Sequence, residues 1–187
     1  MNTALLAVDF QPAILAAIPD HDGLLTRVEG AIADVRAAGG TIVHVRVGFT
    51  EADWHAIPAT HPSFAPVAQH RLMHHEAPAA AVHERLAPRA GDIVVRKTRH
   101  GAMSTTDLDD RLRARGITTL VVAGVSTSGA VLSTVLDAAD RDYRLHVLAD
   151  GVADPDPEAH DVLLRHVFPS RAQVLGTARL RELLAAG

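Results

Sequence analysis

An acid and a lysine each stand where a predicted strand ends. Asp9 follows the apolar run 3–8, and Lys97 is the last residue of the run 93–97. In parallel α/β sheets, ligands bind at the carboxyl ends of the strands. The two side chains can meet there if their strands are close neighbours, which favours an order with strands one, three and four side by side. Such a pair is suited to acid–base chemistry.

A third site lies in the stretch AGVSTSGAVLST, residues 123–134. A buried strand ends in small residues and an apolar helix follows, which is where an α/β enzyme would place a nucleophile. The centre of this turn is Ala130, which has no reactive atom. Ser126, Ser128 and Ser133 are nearby, but a serine nucleophile needs a base within hydrogen-bond reach, and none of them occupies the central position.

The elements that must position these residues alternate between strands and helices along the chain. Predicted strands cover residues 3–8, 41–47, 93–97, 120–123, 145–148 and 173–175, and predicted helices cover 22–38, 106–115, 128–141, 157–167 and 178–185. Strands that are apolar throughout indicate a parallel sheet covered on both faces. We therefore expect one domain over residues 1–187, a three-layer α/β/α sandwich with a mainly parallel sheet of five or six strands.

Composition excludes several classes of protein. The net charge of −4 gives no electrostatic reason to expect a nucleic-acid partner. The chain has no cysteine, hence no disulfide framework and no thiolate metal site. The N-terminal apolar run is cut short at Asp9 and lacks a basic start, and no stretch is long enough to span a membrane. The sequence predicts a soluble cytoplasmic protein.

Three blocks together resemble the isochorismatase-like hydrolases, also called the cysteine hydrolase superfamily. They are LLAVDFQ (5–11), VVRKTRHGAMSTTDLDDRLRARGI (94–117) and LVVAGVSTSGAVLSTVLDAADRDYRLHVLADGVAD (120–154). The resemblance covers nearly the whole chain. Amidases of this superfamily use an aspartate, a lysine and a cysteine, and these positions fall on Asp9, Lys97 and Ala130. The turn is therefore a nucleophile site without its nucleophile.

The resemblance implies a role for Asp9. Amide hydrolysis in the superfamily needs a thiol, which Ala130 lacks, whereas enol-ether hydrolysis needs a general acid that protonates carbon. In members without the thiol, the role of general acid is assigned to the aspartate at the Asp9 position. Lys97 would hold a substrate carboxylate or tune the pKa of Asp9, and Gln11 would bind substrate or a water. The candidate substrate-binding residues are Phe10, Gln11, Trp54, Arg99, His100, Met103 and Ser126.

Three explanations for Ala130 stay open. It is the natural residue of a branch that works without a thiol, or an engineered replacement in an amidase, or the mark of a dead site. A small-molecule-binding homologue that turns nothing over is the alternative to an enzyme. The residues predict a small, partly apolar substrate and do not identify it.

Residues 48–77 form a long, proline-containing segment without clear periodicity, and segments of this kind are usually functional. Asp53 and His55 have the local form of the divalent-metal pair in nicotinamidases, and His61 could supply a third ligand. We favour a solvated, His-rich loop instead, and predict neither a metal nor a cofactor. Trp54 and Phe64 are among the few aromatic residues, and exposed aromatics tend to mark interfaces, so we expect a homo-oligomer, a dimer or tetramer.

The resemblance also implies a non-proline cis peptide bond between Val125 and Ser126. Its effect would be to aim the Ser126 N–H toward the pocket beside the N–H of Ala130. Two convergent amides at a helix start can stabilise an anionic oxygen, and they do not require a side chain at residue 130.

Overall fold

Six parallel strands form one twisted sheet in the computed structural model, which describes residues 2–185 of the chain. The strands are β1 (Thr3–Val8), β2 (Thr41–Val47), β3 (Ile93–Lys97), β4 (Thr119–Val125), β5 (Arg144–Ala153) and β6 (Gln173–Leu175). Their order across the sheet is β3-β2-β1-β4-β5-β6, and every pairing is parallel. The predicted parallel α/β sheet is confirmed, with six strands.

Within residues 2–185, eight α-helices connect or cover the strands. They are α1 (Pro12–Leu15), α2 (His21–Ala37), α3 (Glu51–His55), α4 (Ala65–Gln69), α5 (Leu108–Ala114), α6 (Leu132–Asp140), α7 (Pro157–Val162) and α8 (Thr177–Ala185). Two π-helical turns, Thr127–Val131 and Leu163–Val167, precede α6 and follow α7. Among the described residues, no helix combines the length and apolar character needed to cross a bilayer.

Two apolar cores cover the two faces of the sheet. One packs Val8 and Val122 against Leu112 of α5 and Val135 of α6. The other packs the opposite face, including Leu5, against α2 and α8. Successive side chains of a strand point to opposite faces of the sheet, and both faces are buried here. The strands therefore have no polar face, which explains their continuous apolar sequences. This arrangement is the three-layer α/β/α sandwich expected from the sequence.

The long segment after β2 carries two short helices that the sequence did not predict. The helices α3 and α4 have five residues each, too few to show a helical period. α3 is recognisable only by its capping box, in which Thr50 and Asp53 bond each other's backbone. A third, smaller apolar cluster lies here and includes Phe49, Trp54 and Phe64.

Gly124 allows β1 and β4 to approach closely just before the candidate site. A Cβ atom on this residue would lie 2.7 Å from the carbonyl oxygen of Val8 and 2.9 Å from its Cβ. We expect Gly124→Ala to lower the free energy of unfolding by about 1–3 kcal/mol, because a backbone atom of a central strand must move. Chemical denaturation measures the loss.

Gly30 of α2 is the matched control for this substitution. A Cβ atom there meets nothing within 4 Å. Gly30→Ala should therefore raise the unfolding free energy by about 0.5–1 kcal/mol, since alanine is the better helix residue. Equal stability of the two variants would contradict the close approach at Gly124.

Candidate active site

Asp9 and Lys97 meet in a buried ion pair at the carboxyl edge of the sheet. Lys97 Nζ lies 2.7 Å from Asp9 Oδ2. The residues are 4% and 1% exposed, so water screens the pair very little. The same ammonium donates to the backbone carbonyl oxygens of Arg99 (3.2 Å) and His100 (2.8 Å). All three ammonium hydrogens of Lys97 therefore have acceptors.

The expected strand order was wrong in one respect. β1 and β4 are neighbours, but β2 lies between β1 and β3. Val47 of β2 pairs with Lys97, and Val45 of the same strand accepts a hydrogen bond from the Asp9 N–H at 2.8 Å. Neighbouring strands are about 4.8 Å apart, so a side chain as long as lysine is needed to cross β2. The Lys97 side chain therefore reaches Asp9. The sequence interpretation had attributed this contact to adjacent strands.

The backbone holds Asp9 in an unusual conformation. Its φ is +57°, a left-handed value uncommon for a residue other than glycine. Such values persist where the surrounding structure enforces them, often at functional sites. One carboxylate oxygen, Oδ2, contacts Lys97, while Oδ1 is buried without a hydrogen-bond partner among the described residues.

Burial raises the pKa of the Asp9 carboxyl group, and the nearby Lys97 ammonium opposes this shift without cancelling it. Desolvation disfavours the charged carboxylate, which is the usual reason for a raised pKa in a buried acid. A carboxyl group with a raised pKa can hold a proton at a pH where an exposed aspartate has lost it. This is the property that a general acid needs.

The turn after β4 lies on the strand next to Asp9. Val8, the residue before Asp9, pairs with Gly124 near the end of β4. The Val125–Ser126 peptide bond is cis, and Ala130 is buried within the π-helical turn. The Ser126 carbonyl accepts from the N–H groups of Gly129 (3.3 Å) and Val131 (3.1 Å). These bonds fix the path of the chain around residue 130.

Two side chains outside the predicted set tie this turn to its surroundings. Thr134 Oγ1 donates to the Ala130 carbonyl at 2.7 Å and accepts from the Ala102 N–H at 3.1 Å. It thereby links the turn to the loop that follows Lys97. Asp154 Oδ2 accepts from the Ser128 N–H at 2.7 Å. Neither residue stands out in the sequence, because a threonine in an apolar helix and an aspartate in a loop are both common.

The side chain of Gln11, which was expected to bind substrate or a water, is hydrogen-bonded to the backbone. Its amide nitrogen donates to the carbonyl oxygens of Val47 (2.8 Å) and Ala80 (2.7 Å), and its oxygen accepts from the Val47 N–H (2.8 Å). The residue is fully buried. Both amide hydrogens are therefore used within the protein, and Gln11 anchors the end of β1 to β2.

Phe10, Trp54 and Met103 were expected to bind substrate, and the structure places all three in apolar clusters. They pack in three different apolar clusters, and only Met103 shares a cluster with Ala130. Trp54 and Phe64 are buried, so the exposed aromatic surface that motivated the oligomer prediction is absent from the described part of the chain. The Trp54 indole donates to the Leu72 carbonyl at 3.1 Å. The oligomeric state stays a prediction.

Arg99 and His100 lie beside Lys97 and contact the long segment. The Arg99 guanidinium carbon is 5.6 Å from the centre of the Phe64 ring, and the His100 ring centre is 4.7 Å from it. Both residues are half-buried. Burial lowers the pKa of His100, and the nearby Lys97 ammonium lowers it further. His100 is thus favoured in its neutral form.

The metal set suggested by the nicotinamidase resemblance is not assembled. Asp53 Oδ2 accepts from the Thr50 N–H and hydroxyl (both 2.8 Å) and from Arg96 Nη1 (2.6 Å). His61 Nδ1 accepts from a backbone N–H, and His55 is exposed at the end of α3. A carboxylate engaged by an arginine and a helix cap is a poor metal ligand, so these residues do not fit the nicotinamidase site.

The sequence is similar to those of known proteins. The isochorismatase domain model matches residues 3–179. An uncharacterized isochorismatase family protein of Escherichia coli is 33% identical over 98% of this chain and 96% of its own length. A ureidoacrylate amidohydrolase of Methylorubrum extorquens is 36% identical over 84% of this chain and 72% of that enzyme.

The structural match extends over the same range. An isochorismatase family protein from Burkholderia thailandensis superposes with a TM-score of 0.85 at 26% identity, over 98% of this chain and 96% of that protein. Each of three matches covers nearly all of the six-stranded sheet and the edge at which Asp9 meets Lys97: the family model, the E. coli relative and the Burkholderia structure. The chain therefore belongs to the isochorismatase family.

Proposed function

We propose that this protein is a hydrolase of a small molecule that uses Asp9 as its general acid and base and works without a thiol nucleophile. The observation that carries the proposal is the buried pair of Asp9 and Lys97, in which one aspartate oxygen is held and the other has no partner. An acid with a raised pKa and an unengaged oxygen is equipped to deliver a proton.

Lys97 acts as a positioning residue in this proposal. Its three hydrogens are used by Asp9 and two backbone carbonyls, so no donor is left for a substrate carboxylate. Of the two roles considered from the sequence, the contacts favour tuning and orienting Asp9. Lys97 keeps Oδ2 in place while Oδ1 exchanges the proton.

The reaction best suited to these groups is hydrolysis of an enol ether. Protonated Asp9 gives its proton to the terminal CH₂ carbon of a vinyl ether, which leaves an oxocarbenium ion. Water adds to this ion and loses a proton to the Asp9 carboxylate, which restores the acid. The hemiketal then breaks its C–O bond, and its hydroxyl proton moves to the departing oxygen, giving an alcohol and a ketone.

The turn around Ala130 supplies backbone rather than side-chain groups. We propose that the N–H groups of Ser126 and Ala130 bind a carbonyl or carboxylate oxygen of the substrate. The position of these residues at the start of a helical segment supports this role. Arg99 and His100 are proposed to border the substrate on the side of β3.

A second candidate is an amidohydrolase whose nucleophile has been replaced. The ureidoacrylate amidohydrolase similarity and the placement of Ala130 at the centre of the turn favour it. In that case Ala130→Cys should create or restore hydrolysis of amides. If the acid mechanism is right, this substitution gains no amidase activity, and enol-ether hydrolysis continues to depend on Asp9.

We further propose that residues 1–187 form a single domain and that the protein is a cytoplasmic homo-oligomer. Both apolar cores pack on one sheet, which supports the single domain. Light scattering of the purified chain tests the oligomer, and a monomer at high concentration contradicts it.

The function is tested with two substrate classes. Wild-type protein and the Ala130→Cys variant are incubated with 2-phenoxyacrylate, a vinyl ether that gives phenol and pyruvate, and with ureidoacrylate and maleamate as amides. The proposal expects wild-type turnover of the vinyl ether alone. Wild-type cleavage of the amides contradicts it, and the absence of any turnover by either protein favours a non-catalytic binding homologue.

The rate of vinyl-ether cleavage should depend on pH in one direction. The protonated form of Asp9 is the reactive form, and its pKa is raised by burial. We therefore expect kcat/KM to be highest on the acidic side and to fall as pH rises through the Asp9 pKa. A rate that increases with pH over the same range would indicate that a deprotonated group acts as a base instead.

A further inference from the structure

Two polar side chains face the same open space in the turn after β4. Apart from its chain neighbours and the backbone of its own helical turn, a Cβ atom on Gly129 would meet two described atoms within 4 Å. They are Ser126 Oγ at 2.8 Å and His100 Nδ1 at 3.7 Å. On the basis of the proposed enol-ether hydrolysis, we propose that Ser126 and His100 bind in this space the water that adds to the oxocarbenium ion.

Both polar atoms have hydrogen-bonding capacity left for this water. Within residues 2–185, the Ser126 hydroxyl and the His100 ring make no hydrogen bond or ion pair, and both residues are half-buried. Neither atom belongs to the fully enclosed side-chain atoms without a partner, which are found in Asp9, His44 and His146. Water can therefore reach both atoms, and two polar partners are enough to hold an ordered water molecule.

The backbone places this space next to the acid. Lys97 Nζ donates to the His100 carbonyl at 2.8 Å and contacts Asp9 Oδ2 at 2.7 Å, so His100 and Asp9 share one ammonium group. On the other side, Ser126 directly follows β4, which pairs with the strand that ends before Asp9. A water between Ser126 and His100 is thus held by the two loops that border Asp9.

The His100 ring is suited to accept a hydrogen bond from water. Its centre lies 4.7 Å from the centre of the Phe64 ring, a contact that restricts its rotation. Burial and the Lys97 ammonium lower the pKa of His100, which favours the neutral imidazole. A neutral imidazole has one nitrogen that accepts, whereas the charged form only donates. With one hydrogen on Nδ1, the water keeps a lone pair for the carbon and its other hydrogen for Asp9.

Loss of these two partners should slow the capture of the oxocarbenium ion and not its formation. Asp9 still protonates the terminal carbon, but the ion then lacks an oriented water. It returns a proton from its methyl group to the Asp9 carboxylate more often, and the enol ether forms again. In D₂O the acid carries deuterium, so this return leaves deuterium on the vinyl carbon of unreacted substrate.

The test follows 2-phenoxyacrylate and the full-length chain in D₂O, with mass spectrometry of the pyruvate and of the recovered substrate. Wild-type protein should place deuterium in pyruvate and little in recovered substrate. His100→Phe keeps an aromatic ring against Phe64, and Ser126→Ala removes only the hydroxyl. Each should lower kcat at least tenfold with little change in KM, and each should enrich the recovered substrate in deuterium. Gly129→Ala, which fills the space, should do the same.

Two substitutions serve as matched controls. His61→Phe changes the other histidine beside Phe64, whose ring centre is 5.0 Å away, and Ser128→Ala changes a second serine of the turn. Both should behave like wild type, and circular dichroism confirms that each variant is folded.

The outcomes separate this role from the reaction itself. Wild-type kcat in both His100→Phe and Ser126→Ala overturns the water site. So does a loss of turnover without deuterium in recovered substrate, or a rise in KM alone, which indicates a contact with the substrate. If wild-type protein gives neither pyruvate nor deuterated substrate, the proposed enol-ether hydrolysis is wrong, and the water site falls with it.

Discussion

Asp9→Asn is expected to lower the turnover of a vinyl ether by about 10²–10⁴-fold, the usual range for loss of a general acid. Asparagine keeps the shape of the side chain and cannot deliver a proton. Substrate binding should change less, because the proposed anion-binding groups are backbone amides. Steady-state kinetics with 2-phenoxyacrylate separate the two effects, and the loss should fall mainly on kcat.

Removing a buried charge also affects stability, so this variant needs a matched control. Asp92 is a second shielded carboxylate, which accepts from Arg36 at 2.5 Å and lies 3.2 Å from a nitrogen of His44. Asp92→Asn should destabilise the fold while leaving turnover within about twofold of wild type after correction for folded protein. If both variants lose activity equally, the effect of Asp9→Asn is structural and its catalytic role is not supported.

Lys97→Met is expected to lower the free energy of unfolding by about 3–5 kcal/mol at neutral pH, because it leaves the Asp9 carboxylate buried without its cation. The same substitution should also reduce turnover, since Oδ2 loses the contact that orients the acid. The double variant Asp9→Asn/Lys97→Met removes both charges, and it should be more stable than Lys97→Met alone. Denaturant unfolding of the three variants measures this difference.

The destabilisation caused by Lys97→Met should depend on pH. In wild-type protein, burial raises the pKa of Asp9 and Lys97 opposes the rise. Without Lys97 the folded-state pKa rises further, so folded protein binds a proton that unfolded protein has released. The variant should be most stable below the unfolded pKa of aspartate and lose stability as pH rises through the folded pKa. A constant loss at all pH values would contradict this linkage.

The sequence predicts the strands well because each is apolar throughout and ends at a polar residue. The bounds of Thr41–Val47 and Ile93–Lys97 agree with the prediction, whereas β5 extends to Ala153, past Asp150 and Gly151, which look like turn residues. The location of Asp9 and Lys97 at strand ends also identified them as candidate site residues. The order of the strands depends on tertiary packing, which is why β2 was not expected between them.

The roles of single polar side chains were harder to predict. Gln11 bonds residues 36 and 69 positions away, and Thr134 bonds Ala102, 32 positions away. No local pattern reports such partners. Trp54 lies in a proline-containing segment that resembles an exposed loop, yet it is buried in a small cluster of its own. The segment had too little helical or strand periodicity to show that it has a core.

The central claim is that Asp9 protonates carbon in a site without a nucleophile. The most direct measurement is the cleavage of 2-phenoxyacrylate in D₂O, with mass spectrometry of the pyruvate methyl group immediately after the reaction is stopped. The mechanism predicts one deuterium in each methyl group, formed by wild-type protein and by Ala130→Cys but not by Asp9→Asn. Deuterated pyruvate released by Asp9→Asn at an undiminished rate would contradict it.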